Sequence, residues 1–346
     1  MHRTRTLLLL LAAACAPPQD VDAQPTPDDT AGPSPYTHDD VLRLNHVQAL
    51  GTHNSYHQRS TPTLDASWAY DQPTLTDQLA LHGVRQFELD VHLSEADGWQ
   101  VFHIPNVDAG TSCRQFADCL AEIETWSDAH PWHLPIVIWI EPKDEEVDAF
   151  VPGLLPIAGQ WDAFDAFLRE TLPDGEIITP DEVRGDAPDL ATAIAERGWP
   201  TLGSLRGRLL FSMLDSSAHR AEYLSGHPTL QGRAMFATAD ATTDAWSAVF
   251  KINDAVRDGA SIAAALAQGF VTTSNVDGAA SSDADNASSL AGALASGTHF
   301  LSSDFPGGAP DRAYDAAIPD GAPARCNPIT APPDCTAADV EALASP

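Results

Sequence analysis

Phe87-Glu88-Leu89-Asp90-Val91-His92 alternates apolar and ionisable residues, whereas Ile136-Val137-Ile138-Trp139-Ile140 is apolar throughout and runs into Glu141-Pro142-Lys143. In the first stretch a strand would place Glu88, Asp90 and His92 on one face, because successive side chains point to opposite sides. The second suits a strand buried on both faces, as in a parallel sheet covered by helices. Outward from these two, further candidate strands fall at 47–51, 99–103, 209–214, 248–252, 270–273 and 300–303. Helical patterns lie between them at 74–82, 114–128, 161–171, 190–197, 260–268 and 283–295. In the second of these, Phe116, Leu120, Ile123 and Trp126 recur at spacings of three and four. Strands alternating with helices at this length predict an α/β fold, a single-domain TIM-type (β/α)8 barrel. The step from 86–92 to 99–103 lacks a helix, so the barrel is expected to be irregular.

The chain has 346 residues, 43% of them hydrophobic, with 18 Lys+Arg against 49 Asp+Glu and a formal net charge of −31. That is ample for a core and far from a disordered composition. Such acidity repels phosphate backbones and anionic bilayers, which argues against nucleic-acid binding, while it attracts divalent cations.

At the N-terminus His2, Arg3 and Arg5 precede the apolar run Leu7 to Leu11 and then Ala12-Ala13-Ala14-Cys15. Residues 1–15 are read as an export signal too short to span a bilayer. Small residues directly before a cysteine resemble a lipobox, so Cys15 is the expected lipidation site; an ordinary secretory signal cut nearby is the alternative. Pro17, Pro18, Pro25, Pro27, Pro33 and Pro35 mark residues 16–39 as a solvated tether. The catalytic domain is expected over 40–346. The expected location is the cell envelope or the extracellular space. Cys113/Cys119 and Cys326/Cys335 form two close pairs, which in an oxidising compartment close short disulfide loops.

Polar groups recur at the ends of the early strands. The first candidate strand runs into Thr52-His53-Asn54-Ser55, the second carries Glu88 and Asp90, the third ends at His103 and the fourth at Glu141. In a barrel these ends share the rim where active sites sit. Glu88, Asp90, Glu141 and the Asn54 carbonyl form an all-oxygen set that suits a hard cation, Ca²⁺ or Mg²⁺. His53 and His103 beside them suit acid/base work near neutral pH. They could instead be zinc ligands, which would leave three carboxylates in surplus.

Gly51-Thr52-His53-Asn54-Ser55-Tyr56, Glu88-Leu89-Asp90, Phe102-His103 and Ile140-Glu141-Pro142-Lys143-Asp144 resemble the phosphatidylinositol-specific phospholipase C superfamily, its bacterial Ca²⁺-dependent branch in particular. The likeness runs from about Leu44 to Cys335 and includes Lys251-Ile252-Asn253-Asp254. It implies a TIM-barrel phosphodiesterase. His53 would steady the phosphoryl group and assist proton transfer at the attacking hydroxyl, and His103 would be general acid toward the leaving alkoxide. Asn54, Glu88, Asp90 and Glu141 would hold Ca²⁺, and the attacking group would be a neighbouring inositol hydroxyl, giving a cyclic phosphate. The expected partner is a phospholipid or glycerophosphodiester substrate, with membrane contact through the lipid anchor and a monomeric chain.

The pattern departs from the family at the seventh strand, where Val271-Thr272-Thr273-Ser274 stands in place of a basic run, and at Ser212 on the fifth. Lys143 and Lys251 remain as phosphate partners, so a head group carrying extra phosphates is hard to accommodate. Two alternatives keep the barrel: hydrolysis of glycerophosphodiesters by water, and a non-catalytic Ca²⁺-binding surface lipoprotein.

Overall fold

The computed structural model describes residues 34–143, 153–215, 217–319 and 323–341. The signal expected at 1–15 with Cys15, most of the tether, and Asp144 lie outside the described residues.

Eight parallel strands make the barrel: β1 (Val47–Thr52), β2 (Val84–Ser94), β4 (Ile136–Pro142), β6 (Leu209–Met213), β7 (Phe236–Ala237), β8 (Val249–Asp254), β9 (Val271–Asn275) and β10 (Phe300–Ser303). Their order is β7-β6-β4-β2-β1-β10-β9-β8. A parallel bridge from Thr238 to Val249 joins the two ends, and the Ala239 N–H donates to the Val249 carbonyl at 3.1 Å. The sheet is therefore nearly closed, as the alternating pattern predicts. The all-apolar stretch is β4, paired on both sides with β2 and β6, and Ile136 to Ile140 are buried.

Helices α1 (Leu75–Leu81), α2 (Phe116–Ala129), α3 (Trp161–Thr171), α5 (Leu190–Arg197), α8 (Gly259–Ala267) and α9 (Asp283–Ser296) fall on the six helical patterns. Short α4 (Pro180–Arg184), α6 (Leu202–Leu205) and α7 (Ala218–Tyr223) complete the set among the described residues. Phe116 of α2 stacks on Phe164 of α3 at 5.6 Å, and Trp99 meets Phe164 edge-on at 4.7 Å.

Two expectations are corrected. The stretch 99–103 is not a barrel strand: Gly98–Val101 (β3) folds back antiparallel on the outer end of β2, with Val91 opposite Val101. Its place among the eight is taken by β7, whose two residues are too short to show any periodicity. A second short strand, β5 (Leu154–Leu155), also pairs with this extension of β2. Residues 34–39, expected in the tether, pack on the barrel: Asp39 is buried and pairs with Arg206 at 2.8 Å.

After β10 the chain returns as β11 (Ala324–Cys326), antiparallel to the first half of β1. The Cys326–Cys335 disulfide closes the loop that follows, and Cys113–Cys119 closes the turn into α2.

Candidate active site

The barrel interior is polar along β2. Gln86, Glu88 and Asp90 share its inward face by the two-residue repeat. Gln86 donates to the Thr52 carbonyl at 3.1 Å and accepts from the Thr273 hydroxyl at 2.9 Å. A Cβ at residue 51 would sit 2.5 Å from the Gln86 amide oxygen, so the penultimate residue of β1 is glycine because Gln86 needs that space. His92, expected on the same face, is corrected: β2 has left the barrel there. The His92 ring stacks on Phe102 at 3.8 Å, with Nε2 near the Phe102 and His103 carbonyls at 3.0 and 3.1 Å.

The turn after β1 is clipped to its neighbours. Ser55 N–H donates to the Glu88 carbonyl at 2.9 Å, and Glu88 N–H donates to Ser55 Oγ at 2.8 Å. Gln78 of α1 donates to the Ser55 carbonyl at 2.6 Å. Asn54 sits at φ 41°, a left-handed conformation that asparagine tolerates better than most residues. This turn delivers His53 and Asn54 to a cavity of about 560 Å³ at the C-terminal ends of the strands.

Glu88, Asp90 and Glu141 place one carboxylate oxygen each within 4.8 Å of one another. Asp90 and Glu141 are register partners on β2 and β4. Asp90 Oδ1 and Asn54 Oδ1 are buried without a hydrogen-bond partner, and Asp90 Oδ2 lies 3.3 Å from Lys143 Nζ. Buried orphan acceptors of this kind are costly alone and are what an oxygen-preferring cation satisfies. The donor set therefore fits such an ion. Burial raises the Asp90 and Glu141 pKa values, and their mutual repulsion adds to the rise on Glu141. Glu88 is held low, because Lys251 and His53 outweigh its burial.

Lys251 Nζ lies 2.8 Å from Glu88, while Lys143 Nζ lies 2.8 Å from Glu141 and 3.3 Å from Asp90. Both expected phosphate partners line the cavity, but here each neutralises a carboxylate.

The two histidines stand on different supports. His53 Nδ1 contacts Asp304 Oδ1 at 2.8 Å, and Nε2 lies 3.6 Å from Glu88. Burial would lower its pKa; Glu88 and Asp304 outweigh that and raise it to about 9. His103 Nδ1 contacts Asp108 Oδ2 at 2.8 Å. Its pKa is lowered, chiefly by burial. His103 comes from the loop after β3, not from the end of a barrel strand as expected.

The described geometry thus unites His53, His103, Asn54, Glu88, Asp90, Glu141, Lys143 and Lys251. Sequence reasoning missed Asp304, Asp108, Asn275 and Asp215. Asp304, Asn275 and Asp215 obey the rule used for the early strands: Asn275 ends β9, Asp304 directly follows β10 and Asp215 lies two residues beyond β6. Asp108 carries no such signal. Thr272 and Ser274 are excluded from the cavity: both hydrogen-bond Thr298, and Ser212 is buried outside the lining. Trp68 and Tyr70 line the cavity, whereas Trp132 precedes β4 and so lies at the opposite end.

Fold and site together define a TIM-barrel enzyme with two histidines beside an acidic cluster at its C-terminal rim. The chain belongs to the Ca²⁺-dependent phosphoinositide phospholipase C family, whose model matches residues 42–99 and 92–328. It is an enzyme of the phospholipase C type. Among solved structures it is similar to a Ca²⁺-dependent phosphatidylinositol-specific phospholipase C from Streptomyces antibioticus. That match has 22% identity and a TM-score of 0.56, covering 76% of this chain and 95% of that one. A calcium-dependent phosphoinositol-specific phospholipase C from a Pseudomonas species matches at 17% identity and TM-score 0.58, covering 85% and 98%. The myoinositol complex of the same Pseudomonas enzyme matches at 16% identity and TM-score 0.58, covering 83% and 96%. No curated protein matches the chain by sequence.

Proposed function

We propose that this chain is an exported, Ca²⁺-dependent phosphodiesterase that cleaves a phosphatidylinositol-type phosphodiester to a cyclic phosphate. The observation that carries the reading is the pair of unlike histidines flanking an all-oxygen cluster with orphaned acceptors. Asn54, Glu88, Asp90 and Glu141 would hold Ca²⁺, which supplies Lewis-acid neutralisation of the non-bridging phosphate oxygens. Asp304 occupies Nδ1 of His53, so Nε2 meets the substrate and steadies the phosphoryl group, while the proton of the attacking hydroxyl passes to Glu88, 3.6 Å from that nitrogen. Asp108 occupies Nδ1 of His103, so its Nε2 is the nitrogen left to protonate the leaving alkoxide. Lys143 and Lys251 are placed to turn to substrate phosphate once the carboxylates are otherwise neutralised.

Asp215, Asp240, Asn253 and Asn275 line the remaining wall. All four suit hydroxyl groups, and the two carboxylates disfavour added phosphates, which supports an unphosphorylated polyol head group. Export through residues 1–15, a lipid on Cys15, a tether reaching the catalytic domain, and a monomeric chain belong to the same proposal. Loss of fatty-acid labelling in Cys15→Ala would support the anchor.

Purified protein should release a cyclic phosphodiester from phosphatidylinositol, followed by ³¹P NMR, with Ca²⁺ and not with chelator. His103→Ala should lower that rate about 10²–10⁴-fold. A phosphomonoester product with no cyclic intermediate would favour hydrolysis by water on the same barrel. Tight Ca²⁺ binding without turnover on any phospholipid would leave only the binding-protein reading.

A further inference from the structure

Beneath His103 lies a third histidine that this acid/base scheme does not use. His57 is fully buried. Its Nδ1 lies 3.0 Å from the Tyr70 carbonyl oxygen, and its Nε2 lies 2.8 Å from Asp108 Oδ2. That same carboxylate oxygen holds His103 Nδ1 at 2.8 Å.

A carbonyl oxygen only accepts, so Nδ1 of His57 carries a hydrogen. Nε2 faces a carboxylate, and two lone pairs at 2.8 Å make no hydrogen bond, so one proton sits on that contact. Whichever atom holds it, His57 and Asp108 together carry no net charge. His103 therefore rests on a neutral pair and not on a bare carboxylate. The His57 ring is itself fixed, stacked on Tyr70 at 4.5 Å and edge-on to His103 at 6.2 Å. His53 is supported differently: Asp304 holds its Nδ1 at 2.8 Å, and Glu88, paired with Lys251, lies 3.6 Å from Nε2.

We propose that His57 is a positioning residue for proton delivery, orienting and neutralising Asp108 so that His103 presents a releasable proton at Nε2. The inference rests on the reading of His103 as proton donor. In that step the attacking hydroxyl gives its proton to the His53–Glu88 pair and its oxygen bonds to phosphorus as the bond to the leaving oxygen breaks. The electron pair stays with the leaving oxygen, which takes the Nε2 proton; His103 is left neutral with Nδ1–H on Asp108. A bare Asp108 carboxylate would attract the proton back toward His103 and slow its release. An alkoxide leaving group needs that proton, whereas a p-nitrophenolate does not.

The test compares two myo-inositol 1-phosphodiesters, one with a short-chain diacylglycerol leaving group and one with p-nitrophenol, in wild type, His57→Ala, His57→Gln and His103→Ala. His57→Ala should lower kcat on the alkyl ester about 10- to 100-fold, the usual worth of an orienting partner. On the aryl ester the loss should be under about threefold, because general-acid help is not needed there. KM should change little on either substrate. His57→Gln, which keeps one N–H toward Asp108, should recover part of the alkyl-ester rate. Equal losses on both esters, or no loss, would overturn the proposal, and should circular dichroism find His57→Ala unfolded, the same criteria apply to His57→Gln. His103→Ala separates the two ideas: without a selective alkyl-ester loss there, the general-acid reading itself fails.

Discussion

The two ends of this barrel handle buried charge in opposite ways. At the N-terminal end Arg85 donates to Glu341 at 3.0 Å and to the Val84 and Leu79 carbonyls at 2.7 and 3.2 Å. Glu341 also accepts from the Leu134 N–H at 2.8 Å. Arg206 pairs with Asp39 and donates to the Trp132 and Asp339 carbonyls. At the C-terminal rim, by contrast, Asp90 and Asn54 keep buried acceptors unpartnered, and burial raises the pKa values of Asp90 and Glu141. Satisfied groups at the base favour the folded state, while unsatisfied groups at the rim are held in place by it and gain their partners from ligand.

Breaking the base should have the largest effect. Arg85→Met strands Glu341 in a buried position and should cost about 3–5 kcal/mol, the usual penalty for an uncompensated buried charge. Urea denaturation would measure it, and kcat of the folded fraction should be unchanged. A fall in kcat larger than the fall in folded fraction would mean that the two ends are coupled.

Altering the rim should do the reverse. Asp90→Asn removes one of three crowded carboxylates and should lower Ca²⁺-dependent turnover about 10²-fold or more, comparable to losing one preorganised electrostatic partner. Stability of the metal-free protein should hold or rise, because the substitution relieves repulsion with Glu141. A destabilised Asp90→Asn would show that the cluster is structural.

The smallest effect is expected from a single buried histidine as pH falls from 7 to 5. His133 and His299 are buried, and burial depresses the pKa of each to about 4. His299 Nδ1 accepts from the Thr272 N–H at 3.0 Å while Nε2 meets the Asn45 carbonyl at 3.1 Å, an arrangement that needs the neutral ring. Between about pH 6.5 and 4 the unfolded chain binds more protons at these sites than the folded one. Their contribution is thus complete above about pH 6.5 and is lost as pH falls, by about 1 kcal/mol per pH unit for each. Denaturation midpoints at pH 7 and 5 would measure this, and His299→Gln should flatten the slope. An unchanged slope in that variant would assign the acid sensitivity to His133.

Much of the fold was legible because strands β2 and β4 announce themselves through two distinct hydrophobic patterns, and six helices follow from spacing. The error at 99–103 has a simple cause. A strand pattern reports a pleated, half-buried segment and says nothing of whether it joins the barrel or folds back on β2. Phe236–Ala237 closes the barrel with two residues, too few for any pattern. The strand-end rule reached His53, Glu88, Asp90 and Glu141, and it would have reached Asp304 if carried to the last strand. For His103 the residue was right and the reason for its position was not.

From the sequence alone it is determined that Gln86, Glu88 and Asp90 share one face, since that follows from backbone alternation within a single strand. It also determines that His53 and Asn54 leave β1 together and that Glu141 ends β4. Only the tertiary structure decided how these groups are supported. Closure of the barrel brings Asp304 to His53 across 251 residues and Lys251 to Glu88 across 163. The fold-back of β3 and its loop sets His103 on Asp108 and His57. Local periodicity fixes the direction in which a side chain points, whereas its protonation and its partners depend on which distant strand comes to lie opposite.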